Sequence, residues 1–445
     1  MGAPDTTEQD IEPDTGTSTS GACSGSGSLD TTFNSSGQLT IDHGDSESGV
    51  TAMAIDSGGR ILVAGESSVG FCLNRFLPDG SIDVGFGTPE DPGTDYCQAS
   101  QNFGHPHAEP LGLDVERSTG KITAVGYVDA QVSGTWAVAR YNADGSLDGS
   151  FGGGTVLDTS LLYATSVATL PDNKIVVAGV SGAPEVDQHH VVVVRYNPDG
   201  TLDSSFGTAG RFKLTTETLY TKSSAKCFEL ALQTDGKIVV AANATYFCGQ
   251  GPMGFCNSGV LVLRLDANGA PDQSFGEGGV ARQPVMGFAN AHASSVALQP
   301  DGKIVVGGWV GFLGPVDVMF MRFDTGGGID TSFGTGGVFR YDYSGGIGGI
   351  DYLNDMALQS DGKIVATGRY WTSPFDAPIR NAIWRLKADG SADNSFNNGA
   401  EMLLADLGGK DGDGQKIAVQ AGDRIVVGGY VYNSDCDSSV MRICP

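Results

Sequence analysis

The strongest constraint on the fold is a stretch that keeps returning. Residues Arg195 to Gly210 read RYNPDGTLDSSFGTAG, and copies starting at Arg75, Arg140, Arg264, Arg322 and Arg385 bring the total to six. A seventh is divided between the chain ends: SLDTTF closes at Phe33, and the missing opening, MRI, stands at Met441 to Ile443. A second motif alternates with the first, as in VALQPDGKIVVGG from Val296 to Gly308. A basic residue follows its turn in all seven copies, at Arg60, Lys121, Lys174, Lys237, Lys303, Lys363 and Arg424. Self-similarity at a spacing of about sixty residues marks a repeat architecture.

Within one unit SVALQ alternates, KIVVAG and VVVVRY are β-branched runs, and TLDSSFG follows a turn rich in Asn, Pro, Asp and Gly. The pattern predicts four antiparallel strands, A to D, with D placed on the LDSSF segment. No apolar stretch of helical length repeats at 3.6 residues, so helix should be scarce. Seven four-stranded units suit an all-β, seven-bladed β-propeller over residues 29–445, which buries both faces of each blade and leaves short edges. Entry at Leu29–Phe33 and exit at Ser439–Ile443 predict a last blade built from both termini. In the turns, Gly200 and Gly269 stand where a tight hairpin needs positive φ. Each repeat Arg precedes an Asp by eight residues, as in Arg195 and Asp203, which predicts pairing across the C-to-D hairpin. Arg442 should reach Asp30 across the chain ends, each pair giving about 0–1 kcal/mol if exposed.

The xRYNxDGxLDxSFGxxG and LQxDGKIVVAG patterns resemble the delta-60 repeat β-propeller family, bacterial and mostly exported, across Leu29 to Ile443. The resemblance implies a fold and brings no catalytic motif with it. Pro271 and Asn397 depart from the pattern and bear on local strand geometry.

Residues 1–28 are acidic and rich in Ser, Thr and Gly, the composition of a disordered tether. Their resemblance to the spacer behind a cleaved signal or lipid anchor implies export, with the anchor upstream of this chain. No apolar run of membrane-spanning length occurs, so direct membrane insertion is not expected. Eight cysteines, even in number and clustered, point to an oxidising compartment. Cys23 and Cys444 flank the two chain ends that must meet and should bridge. A chain-entropy model values that link at up to about 5 kcal/mol. Cys248 and Cys256 share one insertion and form a second candidate pair, whereas spacing does not pair Cys72, Cys97, Cys227 and Cys436. The formal charge of −26 argues against nucleic acid or anionic lipid as a partner.

The D-to-A and B-to-C connections vary most and share one face in this topology, which is where function on a repeat scaffold resides. Their aromatics, Tyr127, Trp136, Tyr246, Trp309, Phe312, Tyr370, Trp371, Tyr430 and Tyr432, offer flat amphipathic area to a protein or carbohydrate partner. A binding or scaffold module without a cofactor follows. Such rings could instead cap blade ends, or pack against a neighbour if the chain is a structural subunit of a surface assembly. The alternative is a metal-dependent lyase or hydrolase with His105, His107 and His292, and His43 beside them, around an ion in the channel. Asp-rich turns such as Asn197 to Asp203, and the segments at Asp411 and Asp413 and at Asp42 to Glu47, lack EF-hand spacing and are expected to be turns and acidic surface loops.

Overall fold

The computed structural model describes residues 23–41, 49–67, 70–87, 97–105, 107–130, 133–183, 188–215, 229–248, 256–283, 291–311, 316–341, 349–371, 379–400, 402–405, 411–432 and 437–445. Strands dominate, and the described helical turns are three short 3-10 segments, Gly152–Gly154, Asn397–Gly399 and Ala421–Asp423.

Ala52–Ile55, Ile61–Ser67, Gly70–Phe76 and Ala99–Gln101 form a four-stranded antiparallel sheet in chain order. Ala108–Val115, Ile122–Ala130, Ser133–Tyr141 and Thr155–Asp158 form the second, and Tyr163–Thr169, Ile175–Ala183, Gln188–Tyr196 and Arg211–Lys213 the third. Glu229–Leu232, Ile238–Cys248, Cys256–Leu265 and Val280–Gln283 build the fourth. Two further antiparallel sets follow: Ala291–Leu298, Ile304–Gly311, Val316–Phe323 and Val338–Tyr341, then Ile350–Leu358, Ile364–Trp371, Arg380–Leu386 and Met402–Ala405. They are joined by one parallel pairing, Val316 with Ile350. The last sheet takes Asp411–Gln420, Arg424–Tyr432 and Asp437–Ile443 from one chain end and Gln38–Ile41 from the other, with Gln38 opposite Met441.

Both chain ends therefore meet in one sheet, but the fourth strand is not LDTTF. Leu29 makes a single bridge to Ile443, and in each unit the fourth strand lies beyond the SFG segment. The aspartate is the reason. Asp203 Oδ1 accepts the Ser205 N–H at 3.1 Å and its hydroxyl at 2.6 Å, an Asx turn that bends the chain where an extended strand was expected. Residues 1–22 lie outside the described residues, yet Gly27 donates to the Cys444 carbonyl and Ser26 contacts Arg385 and Asn397.

Apolar side chains gather in seven clusters, each between two neighbouring sheets. One holds Leu62 and Phe71 with Ile122 and Ala137, the next Val125 and Trp136 with Val177, and so on along the chain. The seventh couples Val426 and Val440 of the last sheet to Ile61 and Val63 of the first. Burial on both faces explains why the central strands read as unbroken β-branched runs.

The repeated motif proves to be the joint between these sheets. All seven Arg–Asp pairs form at 2.7–2.9 Å. The seven arginines are buried, with Asp30, Asp148, Asp203 and Asp393, and the other three aspartates are largely covered, not exposed as the figure of about 0–1 kcal/mol assumed. Arg195 shows the pattern: Nε reaches Asp203 Oδ2 at 2.8 Å, the guanidinium lies 4.6 Å over the Phe206 ring, and Nη1 donates to Ala267 O in the turn of the next unit. Gly207 N–H then donates to Asn268 O at 2.7 Å. Gly269, at φ +82°, lies so close that a Cβ would come within 2.7 Å of the Phe206 ring. In five units the basic residue behind the second motif joins the same carboxylate, as Lys174 does at 3.0 Å from Asp203, whereas Lys237 and Lys363 pair with Asp235 and Asp361 of their own turns.

Candidate functional site

Five first strands carry a β-bulge at one place, before Gly112, Ser166, Ser295, Asp355 and Lys416. A bulge re-aims the side chain beside it, and here it turns that group toward the next unit. Ser166 Oγ accepts the Leu230 N–H at 3.1 Å, Ser295 Oγ that of Met356 at 3.1 Å, and Asp355 Oδ2 that of Ile417 at 3.0 Å. Glu229 Oε2 accepts the Val296 N–H at 2.8 Å and the Ser295 hydroxyl at 2.5 Å. Lys416 Nζ stands 3.9 Å from Asp355. Ser166, Glu229, Asp355 and Lys416 line a cavity of about 620 Å³; the acceptors among them, with the fully buried Ser295, satisfy backbone donors that bulged strands would otherwise leave unpaired.

Burial, and then the charge of Asp355, push the Glu229 carboxyl up to about 7 against the pull of Lys416. Burial opposes the Lys416 charge, but Asp355 and Glu229 outweigh it and raise the ammonium. Because the native state holds the Glu229 proton between its ordinary 4.5 and about 7, stability falls as pH rises through that window. Glu229→Gln is therefore expected to raise stability by up to about 3 kcal/mol at pH 8 and to leave it unchanged near pH 4. Urea unfolding of both proteins at the two pH values measures this, and equal stability at pH 8 would contradict the protonated assignment.

Four sheets place a cross-strand pair at or beside the cavity, near the beginning of the first strand and the end of the second, and of these residues Trp309, Tyr352, Arg369, Asp413 and Tyr430 line it. Directly opposed neighbours of this kind touch. Tyr127 donates its hydroxyl to Glu109 at 2.8 Å. Trp309 stacks on His292 with ring centroids 3.8 Å apart. Arg369 lies 4.4 Å over the ring of Tyr352. Tyr430 opposes Asp413, which Arg369 Nη1 approaches at 3.8 Å, and its ring lies parallel to that of Tyr432, 6.4 Å away. Burial, and then the charges of Glu109, Asp413, Tyr432 and Glu66, hold the Tyr430 hydroxyl protonated far above its usual range. Glu66 in turn pairs with His107, Nδ1 to Oε1 at 2.5 Å.

Of the expected aromatics, Trp309, Tyr430 and Tyr432 line the cavity, Tyr127 is half-buried beside Glu109 and His107, and Trp371 is half-buried two residues beyond Arg369. Trp136, fully buried, and Tyr370 pack in the clusters between sheets and are core residues, not part of a binding face. The Tyr246 side chain and Phe312 lie outside the described residues, as does His43. The described histidines His105, His107 and His292 do not come together as one ligand set. His292 is buried against Trp309, where burial lowers its pKa to about 4, while His107 pairs with Glu66. Among the described residues no shared group of ligand atoms unites His105, His107 and His292. Asp413, expected in an acidic surface loop, lies in the edge strand Asp411–Gln420 of its sheet and lines the cavity.

The Cys23–Cys444 bridge forms as expected, and Cys72 bonds Cys97. Cys248 and Cys256 are opposed in register, their side chains outside the described residues, as are Cys227 and Cys436. Sequence reasoning missed Glu109, Tyr352, Arg369 and Asp413. A signal was present: the residue six after each turn cation is Glu66, Tyr127, Val180, Asn243, Trp309, Arg369 and Tyr430, and of these Trp309, Arg369 and Tyr430 line the cavity.

Four-stranded antiparallel units packed face to face through a repeated joint define an all-β protein of the β-propeller class. The sequence is similar to the family described as "Domain of unknown function (DUF5122) beta-propeller", matched at residues 59–86, 117–151, 170–206, 299–333 and 359–396, each stretch ending at or beside a joint phenylalanine. Among solved structures, it resembles the polysaccharide lyase Uly1 at 9% identity and TM-score 0.48, covering 92% of this chain and 98% of that one. It also resembles a catalytically inactive virginiamycin B lyase from Staphylococcus aureus, at 10% identity and TM-score 0.46, over 91% and 98% of the two chains. The NanB sialidase from Streptococcus pneumoniae aligns at 12% identity and TM-score 0.41, over 92% and 70%. At such identities these likenesses concern the path of the backbone and not chemistry. No curated protein matches the sequence. No described helix is long and apolar enough to cross a membrane.

Proposed function

We propose that this chain is an exported seven-bladed β-propeller of the delta-60 repeat type, closed into a ring by its two chain ends, that binds a neutral saccharide at the mouth of its central cavity. The cyclic order of the seven clusters supports the closed ring. Two disulfides favour an oxidising compartment. The binding reading rests on one observation: Trp309, Tyr352, Tyr430 and Tyr432 share a cavity wall with Asp413 and Arg369. Aromatic faces pack against the C–H surfaces of a sugar ring, and carboxylates and a guanidinium accept and donate its hydroxyl bonds. Glu66, Glu109 and Asp413 make the mouth acidic, and the net charge of −26 repels anions, which selects neutral sugars over uronic or sialic acids.

A panel of neutral and acidic oligosaccharides titrated into the full chain tests this. A neutral member should bind, and Trp309→Ala should weaken it by about tenfold or more, while Leu157→Ala, an exposed change on an outer strand, should leave it unchanged. Binding of acidic sugars alone, or affinity indifferent to Trp309, would overturn the proposal.

A further inference from the structure

We propose that Glu66, His107 and Glu109 form a binding site for a divalent first-row cation, Zn²⁺ foremost, beside the cavity mouth. One ligand atom from each of these side chains lies within 4.8 Å of the others. Zinc holds imidazole nitrogen and carboxylate oxygen at about 2.0–2.2 Å, so its ligand atoms stand roughly 3–3.5 Å apart. Small side-chain rotations would therefore close the set around an ion.

The support behind the three ligands matches what a metal site needs. Glu66 is the penultimate residue of the second strand of one sheet, and Glu109 is the second residue of the first strand of the next, with His107 just ahead of that strand. The site thus straddles two rigid sheets. Tyr127, opposite Glu109 in register, donates its hydroxyl to Glu109 Oε2 at 2.8 Å and lies 3.4 Å from His107 Nε2. That one phenol orients both a carboxylate and the second nitrogen of the imidazole, as outer-shell groups do for metal ligands. The His107 and Glu66 side chains are 33% and 28% exposed, so an ion can enter from solvent. Three ligands with mixed nitrogen and oxygen donors suit Zn²⁺ better than the all-oxygen shells of Ca²⁺ or Mg²⁺, and they leave a position open on the solvent side.

A plain His107–Glu66 ion pair would use the same contact without any ion, and the two readings part on titration. Chelator-stripped, full-length chain with its disulfides intact is titrated with Zn²⁺ alone, without saccharide. One equivalent should bind. His107→Ala and Glu109→Gln should each lower the affinity at least tenfold, and Tyr127→Phe should lower it severalfold with the stoichiometry kept. Unchanged far-ultraviolet dichroism and melting verify that the variants are folded. As a second measurement on the unaltered chain, Zn²⁺ should shift the His107 ring resonances and Ca²⁺ should not. Absence of stoichiometric binding, or zinc retained undiminished by both His107→Ala and Glu109→Gln, as free cysteines would hold it, overturns the site. The saccharide assay is run in chelator, so failure of one proposal leaves the other standing.

Discussion

Asp203→Ala is expected to destabilise the protein by about 3–5 kcal/mol, the cost of leaving a buried charge without its partner. Arg195 is 6% exposed and places its guanidinium between Asp203, the Phe206 ring, Ser205 Oγ and the Ala267 carbonyl. Removing the carboxylate strands that cation inside a joint between two sheets. Removing both partners, as in Arg195→Met with Asp203→Ala, should recover part of the loss, because an apolar side chain has no charge to desolvate. Asp235→Ala, at an exposed pair with Lys237, should change stability by less than about 1 kcal/mol. Denaturant midpoints of the four proteins give the comparison, and an Asp203→Ala effect no larger than that of Asp235→Ala would refute the joint as a buried electrostatic unit.

The same joints fix the response to acid. Ser332, then Arg322 and Lys303, outweigh burial and lower the Asp330 carboxyl to about 2; Asp148 and Asp203 are lowered further by their cations and hydroxyls, against burial. A depressed carboxylate lends stability that is present above its unfolded value near 4 and is lost as pH falls through the folded one. Acid unfolding should therefore fall mainly between about pH 4 and pH 2.

Opening Cys23–Cys444 is the second large effect. The bridge spans 421 residues of sequence and Cys72–Cys97 spans 25. In the chain-entropy account the stabilisation grows with the logarithm of the enclosed loop, so Cys23→Ser should cost about 2–3 kcal/mol more than Cys72→Ser. Native contacts add to this. Asp30, fully buried, pairs with Arg442 at 2.9 Å and Arg424 at 3.1 Å, and Gly27 and Ser28 exchange backbone bonds with Cys444. Thermal melts of the two variants decide the matter, and equal losses would show that the terminal sheet holds without its covalent link.

The Arg–Asp spacing was legible because both partners lie in one hairpin, where eight residues place them on the same side. The other half of the joint was not, because the turn that receives Arg195 lies in the next copy, and identical copies conceal which one touches which. Cys23 and Cys444 could be paired from their flanking segments, whereas Cys72 and Cys97 are joined across segment 88–96, whose length fixes no geometry. Among the aromatics, strand parity decided the outcome. Tyr430 and Tyr432 share one face of their strand and reach the cavity, while Tyr370 lies on the opposite face from Arg369 and enters the core. The bulge that turns Asp355 and Lys416 inward leaves no mark in the apolar pattern, since one extra residue simply reverses the alternation.

Sharing one sheet between the chain ends also sets a timetable. The strand Gln38–Ile41 leaves the ribosome ahead of its partner strand, which comes about 400 residues later, as Arg442 comes 412 residues after the Asp30 it pairs with. At about 5–20 residues per second, that strand waits roughly 20–80 s with nothing to pair against. Over that interval it is an exposed edge, the kind of surface that recruits wrong neighbours. Its length of four residues limits how firmly a passing chain can attach before the right one arrives.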